Sequence, residues 1–380
     1  MGFGNSQHSR TGLLVVLVLF VALLVWASGN AAYQPAETVR VAIFKGAENL
    51  LLDGSGLLVI DEEGRPLDVE FPVRIRRDKG QLLISGFSRR KITAAAPGVL
   101  KVNGKGYRGT VEVTIGEKGL LVVNELPLED YLVGLINCEI SSQWPIEAVK
   151  AQAVIARTYA LYQKDARKGA PYHLESSVLD QVYEGCDIED SRAARGVRET
   201  AGEVLAHDGS IIQAFYHSSC GGRTEAAENV WGFPLPYMQG VDCKYCVNVP
   251  SVRWSQTLGL SRLEDALRSA GNRVAGLRDI RIIRRNKSGR IVELLLDSDQ
   301  GRVAVSGVNF RKAVGYSVIK STNFVLKVSG DDVVFSGTGY GHGVGLCQWG
   351  SKNRAMEGFS YREILSYYYP GTRLVKQSGD

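Results

Sequence analysis

Residues 128–161 read LEDYLVGLINCEISSQWPIEAVKAQAVIARTYAL. From Leu128 to Ile136 the apolar side chains recur at the 3.6-residue period of a short amphipathic helix. The pattern breaks at Ser141-Ser142-Gln143-Trp144. A second helix is predicted from Pro145, a residue well tolerated in a first helical turn, with Glu147 complementing the N-terminal dipole. It runs through Ala148, Val149, Ala151, Ala153, Val154, Ala156, Ala160 and Leu161, and its many alanines let a neighbouring element approach closely. Glu139 is therefore expected in the short irregular connection between two helices, beside Cys138 and ahead of Trp144-Pro145. A carboxylate there can be partly buried and still face a cleft.

Upstream, the periodicity changes. Val39–Phe44, Leu57–Asp61, Val73–Arg76, Gln81–Phe87, Val99–Val102, Thr110–Ile115 and Gly119–Asn124 read as short strands. Turn signals separate them, among them Asp53-Gly54, Glu63-Gly64, Asp78-Lys79-Gly80 and Asn103-Gly104. The fold class is α+β, with a small all-β region over residues 38–125 followed by a mixed α/β domain over 126–375. Nothing in the β-rich region carries evident chemistry, so it reads as a packing or glycan-contacting module.

The chain has 380 residues, a formal charge of +5 and 43 glycines without collagen-like spacing. That excludes a fibrous or disordered protein. So mild a positive excess over this length is no footprint of nucleic-acid binding. Gly12 to Trp26 is an uncharged apolar run after Arg10, followed by the small residues Ala27 to Ala32. This order of basic, apolar and small segments marks residues 1–32 as a secretory signal, or an N-terminal anchor if uncleaved. The protein is expected to be exported, periplasmic or otherwise extracytoplasmic.

Export bears on the six cysteines, Cys138, Cys186, Cys220, Cys243, Cys246 and Cys347. Three disulfides are permitted, and six cysteines leave fifteen pairings. His217-x2-Cys220 and Cys243-x2-Cys246, with 22 residues between them, also supply four ligands of the kind that tetrahedral zinc prefers. Disulfides or buried free thiols are the competing readings.

Near the C-terminus, glycines occupy positions 337, 339, 341, 343 and 345. In an extended strand they fall on one bare face, with Thr338, Tyr340, His342 and Val344 on the other. A face without side chains admits another backbone or a sugar ring. Gln348 to Glu357 then reads as a helix ended by Gly358, and Ser360-x-x-Glu363 as a capping box opening another.

Together, Asn124 to Gly134, Cys138-Glu139-Ile140, Trp144 to Leu161, Asp180-Gln181-Val182-Tyr183, Tyr216 to Gly222, Gly341 to Gly345 with Gln348, and Tyr369-Pro370-Gly371-Thr372 resemble the SpoIID/LytB domain family. The matches keep the family's order from about Tyr107 to Thr372. The resemblance implies a domain with a central cleft and peptidoglycan as the partner. It implies one of two activities: a lytic transglycosylase acting on glycan strands stripped of stem peptides, or a modifier that enhances a cell-wall amidase.

The resemblance assigns Glu139 as general acid. Cleaving the bond between N-acetylmuramic acid and N-acetylglucosamine needs a protonated carboxyl at the leaving oxygen. One carboxyl suffices when the sugar's own C6 hydroxyl is the nucleophile. Glu139 must then keep its proton near neutral pH, which apolar neighbours such as Ile140 and Trp144 would bring about. The opposing reading is an ordinary exposed loop glutamate. Arg157 is read either as orienting Glu139 or gripping a sugar carboxylate, or as a structural salt bridge. Gln181, Tyr183, Tyr216, His217, Ser218, Tyr340, His342 and Gln348 complete the expected substrate contacts. No cofactor is required, and the metal expected is a structural zinc on His217, Cys220, Cys243 and Cys246. Some family members bind metal just ahead of the Gln-Val-Tyr motif, but here Asp180 precedes Gln181 and that site does not transfer. A rival chemistry pairs Cys220 or Cys347 with His217 or His342 as nucleophile and base.

Overall fold

A computed structural model describes residues 37–377. The signal or anchor segment expected over residues 1–32 lies outside them. The α+β class holds: two antiparallel-rich sheets are followed by helices that share their core. In Lys91–Ala95 and Thr110–Gly116 alternate residues turn inward, so that Ile92, Ala94, Val111 and Val113 are buried. One six-stranded sheet runs in the order Leu174–Glu175, Thr38–Ala47, Gly119–Pro127, Thr110–Gly116, Lys91–Ala95, Leu58–Asp61. The other runs Phe87–Arg89, Gln81–Ile84, Val73–Asp78, Asn49–Asp53, Leu100–Val102, Lys105–Tyr107. The strand expected over Gln81–Phe87 is thus a hairpin. Ser85 and Gly86 both adopt positive φ (44° and 85°), as a two-residue turn between twisted strands requires.

Helix α1 is Leu128–Glu139 and helix α2 is Ile146–Ala166. Glu139 is therefore the last residue of α1 rather than part of an irregular connection. Asn137 explains the extra turn. Its amide donates to the Ile188 carbonyl and to Asp190 (both 2.9 Å), and its oxygen accepts from the Ser142 backbone (2.9 Å), so the end of the helix is tied down. Helix α2 is buried on two sides. Val149, Ala153, Ala156 and Ala160 pack on the core of the two sheets, whereas Ala151, Val154 and Ile155 face a second core with Ile364, Leu365 and Tyr368. Ala side chains at these positions make that double contact possible, since bulkier ones would hold the neighbours apart.

Residues 253–338 form a third core around Trp254, Leu294, Phe310, Phe324 and Phe335. They comprise two three-stranded sheets and the helices Leu260–Ser269 and Gly307–Val314. This segment is inserted between two stretches that meet again. Tyr216–His217 pairs in parallel with Leu346–Cys347, Tyr216 opposite Leu346 and His217 opposite Cys347.

Of the alternating glycines only Gly337 lies in an extended strand. The strand ends at Thr338, and Gly339, Gly341, Gly343 and Gly345 all take positive φ (84°, 108°, 90° and 72°). Alternate left-handed residues give the same period of two in sequence as a pleat. The close approach expected of the glycines is nevertheless present, against neighbours on several sides: a Cβ on Gly341 would lie 2.8 Å from that of His217, and one on Gly343 2.5 Å from the Arg290 guanidinium.

Candidate active site

A cavity of about 620 Å³ lies where the end of α1, the loop before Val182, the Phe215–Ser218 segment, the glycine-rich loop and the inserted segment meet. Glu139 lines it. The Val182 backbone N–H donates to Glu139 Oε1 (3.1 Å), and Gln348 Nε2 donates to Oε2 (3.4 Å). The Tyr216 hydroxyl is also hydrogen-bonded to Glu139. Behind it, Gln181 Nε2 donates to the Tyr216 hydroxyl (3.2 Å), and the Tyr131 hydroxyl donates to Gln181 Oε1 (3.0 Å). This chain fixes the direction of the Tyr216 hydroxyl towards the carboxyl. Removal from water pushes the Glu139 pKa above its ordinary value of 4.5, and the three hydrogen bonds only partly oppose that.

Asp180 is the other carboxylate lining the cavity. It is engaged by Arg167 (2.6 and 3.1 Å), the Tyr159 hydroxyl (2.9 Å) and the Glu175 backbone (2.9 Å). Asp180 is thus engaged in an ion pair with Arg167, while Glu139 has no cation beside it among the described residues.

Tyr216, His217, Ser218, Tyr340, His342 and Gln348 all line the cavity with Glu139. The two histidines act on the backbone. His217 Nδ1 meets the Val344 carbonyl (3.0 Å), and His342 Nδ1 accepts from the Val344 N–H (3.0 Å) while its ring also bonds the Tyr216 carbonyl. They tie the glycine-rich loop to the Tyr216 segment. Burial holds both neutral, with the His217 pKa lowered to about 3.

Three expected contacts lie elsewhere. Arg157 is fully buried and makes a two-pronged ion pair with Glu129 (2.7 Å each) plus bonds to the Glu203 and Val197 carbonyls. It neither lines the cavity nor touches Glu139, because its partner Glu129 lies in the first turn of α1, at the opposite end of the helix from Glu139. Tyr183 is buried with its hydroxyl on Asn124 (3.2 Å), and Gln181 stands behind Tyr216 rather than in the cavity wall. Trp144 is likewise not in the cavity wall; it packs on Trp349 with ring centres 5.1 Å apart.

The sulfurs of Cys220, Cys243, Cys246 and Cys347 lie within 4.8 Å of one another. His217 is not of this group: its ring faces Val344 and His342, and Cys347, opposite it across the parallel pair, supplies the fourth sulfur. Cys220 and Cys347 are buried and absent from the cavity wall, so the thiol-and-histidine chemistry has no access to a substrate there.

Sequence reasoning missed the aromatic and basic wall. Phe215 stacks on Trp231 (ring centres 4.0 Å apart), which also packs against His342 (5.1 Å). From the insert come Tyr316 and Arg311, the guanidinium lying 4.6 Å from the Tyr316 ring centre. A Trp and an Arg on short helices give no local sign of sharing a cavity with Glu139 across 92 and 172 residues. Cys347 was visible beside the His342 motif, yet spacing alone joined His217 to the other three cysteines.

Comparison with known proteins agrees with this architecture. A family model described as Stage II sporulation protein (SpoIID) matches residues 116–207, and one described as Domain of unknown function (DUF8618) matches residues 244–345. An uncharacterized protein of Brachyspira hyodysenteriae is 35% identical over 276 residues, 72% of this chain and 73% of that protein. The amidase enhancer of Bacillus subtilis is 31% identical over 64% of this chain, which spans only 40% of the enhancer's length. Stage II sporulation protein D of Bacillus subtilis is 27% identical, covering 66% of this chain and 75% of that protein. By its motifs, its matched family model and these relatives, the chain belongs to the SpoIID family.

Proposed function

We propose that this protein is an exported lytic transglycosylase, which cleaves peptidoglycan glycan strands between N-acetylmuramic acid and N-acetylglucosamine. Its family gives it a cell-wall-related role. The reading is carried by the contrast between the two cavity carboxylates, Asp180 paired with a cation and Glu139 unpaired with a raised pKa. A two-carboxylate hydrolase needs a second free acid or base, whereas a transglycosylase needs one. The Glu139 proton goes to the glycosidic oxygen as the bond to C1 of the muramic sugar breaks. The C6 hydroxyl of the same sugar then bonds to C1 and returns its proton to the Glu139 carboxylate, closing a 1,6-anhydro ring without water. In between, the Val182 N–H, Gln348 Nε2 and the Tyr216 hydroxyl hold the charged carboxylate. Phe215, Trp231, Tyr316 and Tyr340 offer faces for sugar rings.

The test is digestion of peptide-free glycan strands with product mass analysis. Wild type is expected to give anhydromuramic ends, and Glu139→Gln to lose about 10²- to 10⁴-fold in rate while still binding strands. The relative named Amidase enhancer favours a second reading, a wall-binding module that stimulates a cell-wall amidase. In that case wild type leaves glycan intact, accelerates the amidase, and keeps doing so as Glu139→Gln.

A further inference from the structure

We infer that Cys220, Cys243, Cys246 and Cys347 hold one zinc ion in a closed four-thiolate centre, a site independent of how Glu139 acts. Three separate stretches of chain deliver the ligands. Cys220 follows the Tyr216–His217 strand, Cys243 and Cys246 flank and close a single 3₁₀ turn, and Cys347 ends the Leu346–Cys347 strand. All four side chains are at most 1% exposed. Their sulfurs lie within 4.8 Å of one another, with Cys220 and Cys246 at 3.4 Å. A tetrahedron with Zn–S bonds of about 2.3 Å has S···S edges of roughly 3.8 Å, so the cluster is of the size that one ion would draw together.

Two further observations point to charge at this place. The first is a set of donors aimed at sulfur. Cys347 Sγ accepts from the backbone N–H of Cys220 (3.4 Å) and of Gly350 (3.3 Å), Cys220 Sγ accepts from Gly222 N–H (3.4 Å), and the Tyr368 hydroxyl lies 3.2 Å from Cys243 Sγ. A neutral buried thiol is a weak acceptor with little call for such donors, whereas a metal-bound thiolate uses them. The second is Arg290, which is 1% exposed and forms no ion pair with a carboxylate among the described residues. Its guanidinium donates to the Cys220 carbonyl (3.1 Å) and the Gly341 carbonyl (3.3 Å), and its Nε is buried without a partner. A buried cation is expensive unless an anion compensates it. The buried Glu225 carboxylate supplies part of that compensation, and a divalent ion with four thiolates, at a net charge of −2, would add to it. Zinc is favoured because its structural sites are closed, tetrahedral and rich in cysteine.

The centre would clamp the wall behind the cavity. Cys347 immediately precedes Gln348, the donor to Glu139 Oε2, and Cys220 follows the Tyr216–Ser218 wall. It would also keep four thiols of an exported protein from oxidation.

The test is metal analysis of the full chain purified without chelator. One zinc per chain is expected, released when a mercurial titrates four thiols. Cys246→Ser is expected to retain less than about a tenth of the zinc, and Cys186→Ser, outside the cluster, to retain it all. Should the cluster variant fail to fold, cobalt substitution of wild type reads the same point: intense visible bands with thiolate-to-cobalt charge transfer are expected of a tetrahedral four-sulfur site. A zinc-free chain with freely titrating thiols, a mass lowered by two disulfides, or a cobalt spectrum without thiolate bands would overturn the assignment.

Discussion

Two arginines show how a single residue's role depends on what it meets. Arg157 falls among alanines in the sequence, which marks its charge as in need of a partner, but the sequence does not name that partner. Glu129 meets it across the α1–α2 contact, and the pair staples two helices instead of serving the cavity. Arg311 carries no local sign at all, yet its side chain lines the cavity. It is held by the Ile319 carbonyl (2.8 Å) and the Tyr316 ring, and it is unpaired with any carboxylate among the described residues. Burial and the neighbouring Arg290 charge lower its pKa to about 10, so it remains a cation at neutral pH. A muramic sugar that has lost its stem peptide exposes a lactyl carboxylate, the natural counter-charge for this group. Arg311→Met is therefore expected to raise KM for peptide-free strands by about tenfold, equivalent to about 1.4 kcal/mol, with little change for strands whose lactyl groups carry peptide. Steady-state kinetics on both substrates checks this.

At the scale of elements, local rules succeed where the chemistry is local. The capping box is present: Ser360 Oγ accepts from the Glu363 N–H, and the Glu363 carboxylate accepts from the Ser360 N–H (2.8 Å). Ser360→Ala should cost about 1 kcal/mol of stability, seen in denaturant melts, and leave the cleavage rate of the folded protein unchanged. The glycine-rich loop is the opposite case. A period of two was legible, but the sign of φ was not, because pleated strand and alternating left-handed backbone leave the same trace in sequence. Gly345→Ala tests the loop. Its Cβ would fall on the Phe215 carbonyl oxygen at a φ of 72°, so a loss of more than about 2 kcal/mol is expected, together with reduced activity as Phe215 and Tyr216 shift.

For the whole molecule, Glu139 links stability to pH. Its folded pKa is raised above the unfolded value, near 4.5, so the folded state holds the proton more tightly. The stability attached to that proton is complete below about pH 4.5 and is lost as pH rises through the folded pKa. Glu139→Gln, neutral at every pH, is expected to melt with wild type at pH 4 and increasingly above it as pH rises towards neutrality. Thermal melts of the two proteins across that range give the comparison, and a parallel fall of wild-type activity with pH would mark the same titration.

The sequence by itself determined the β-rich start, the two helices around residues 128–161, the later capped helix and the candidacy of Glu139, because each is written in periodicity, turn chemistry or a contiguous motif. Only the tertiary structure decided which of the distant residues share the cavity. The parallel pairing of Tyr216–His217 with Leu346–Cys347 brings Gln348 to Glu139, sets Cys347 among three other sulfurs, and lets an 86-residue insert place Arg311 and Tyr316 opposite. Contacts across 130 residues of chain are fixed by burial of shared cores rather than by any local preference of the residues that meet.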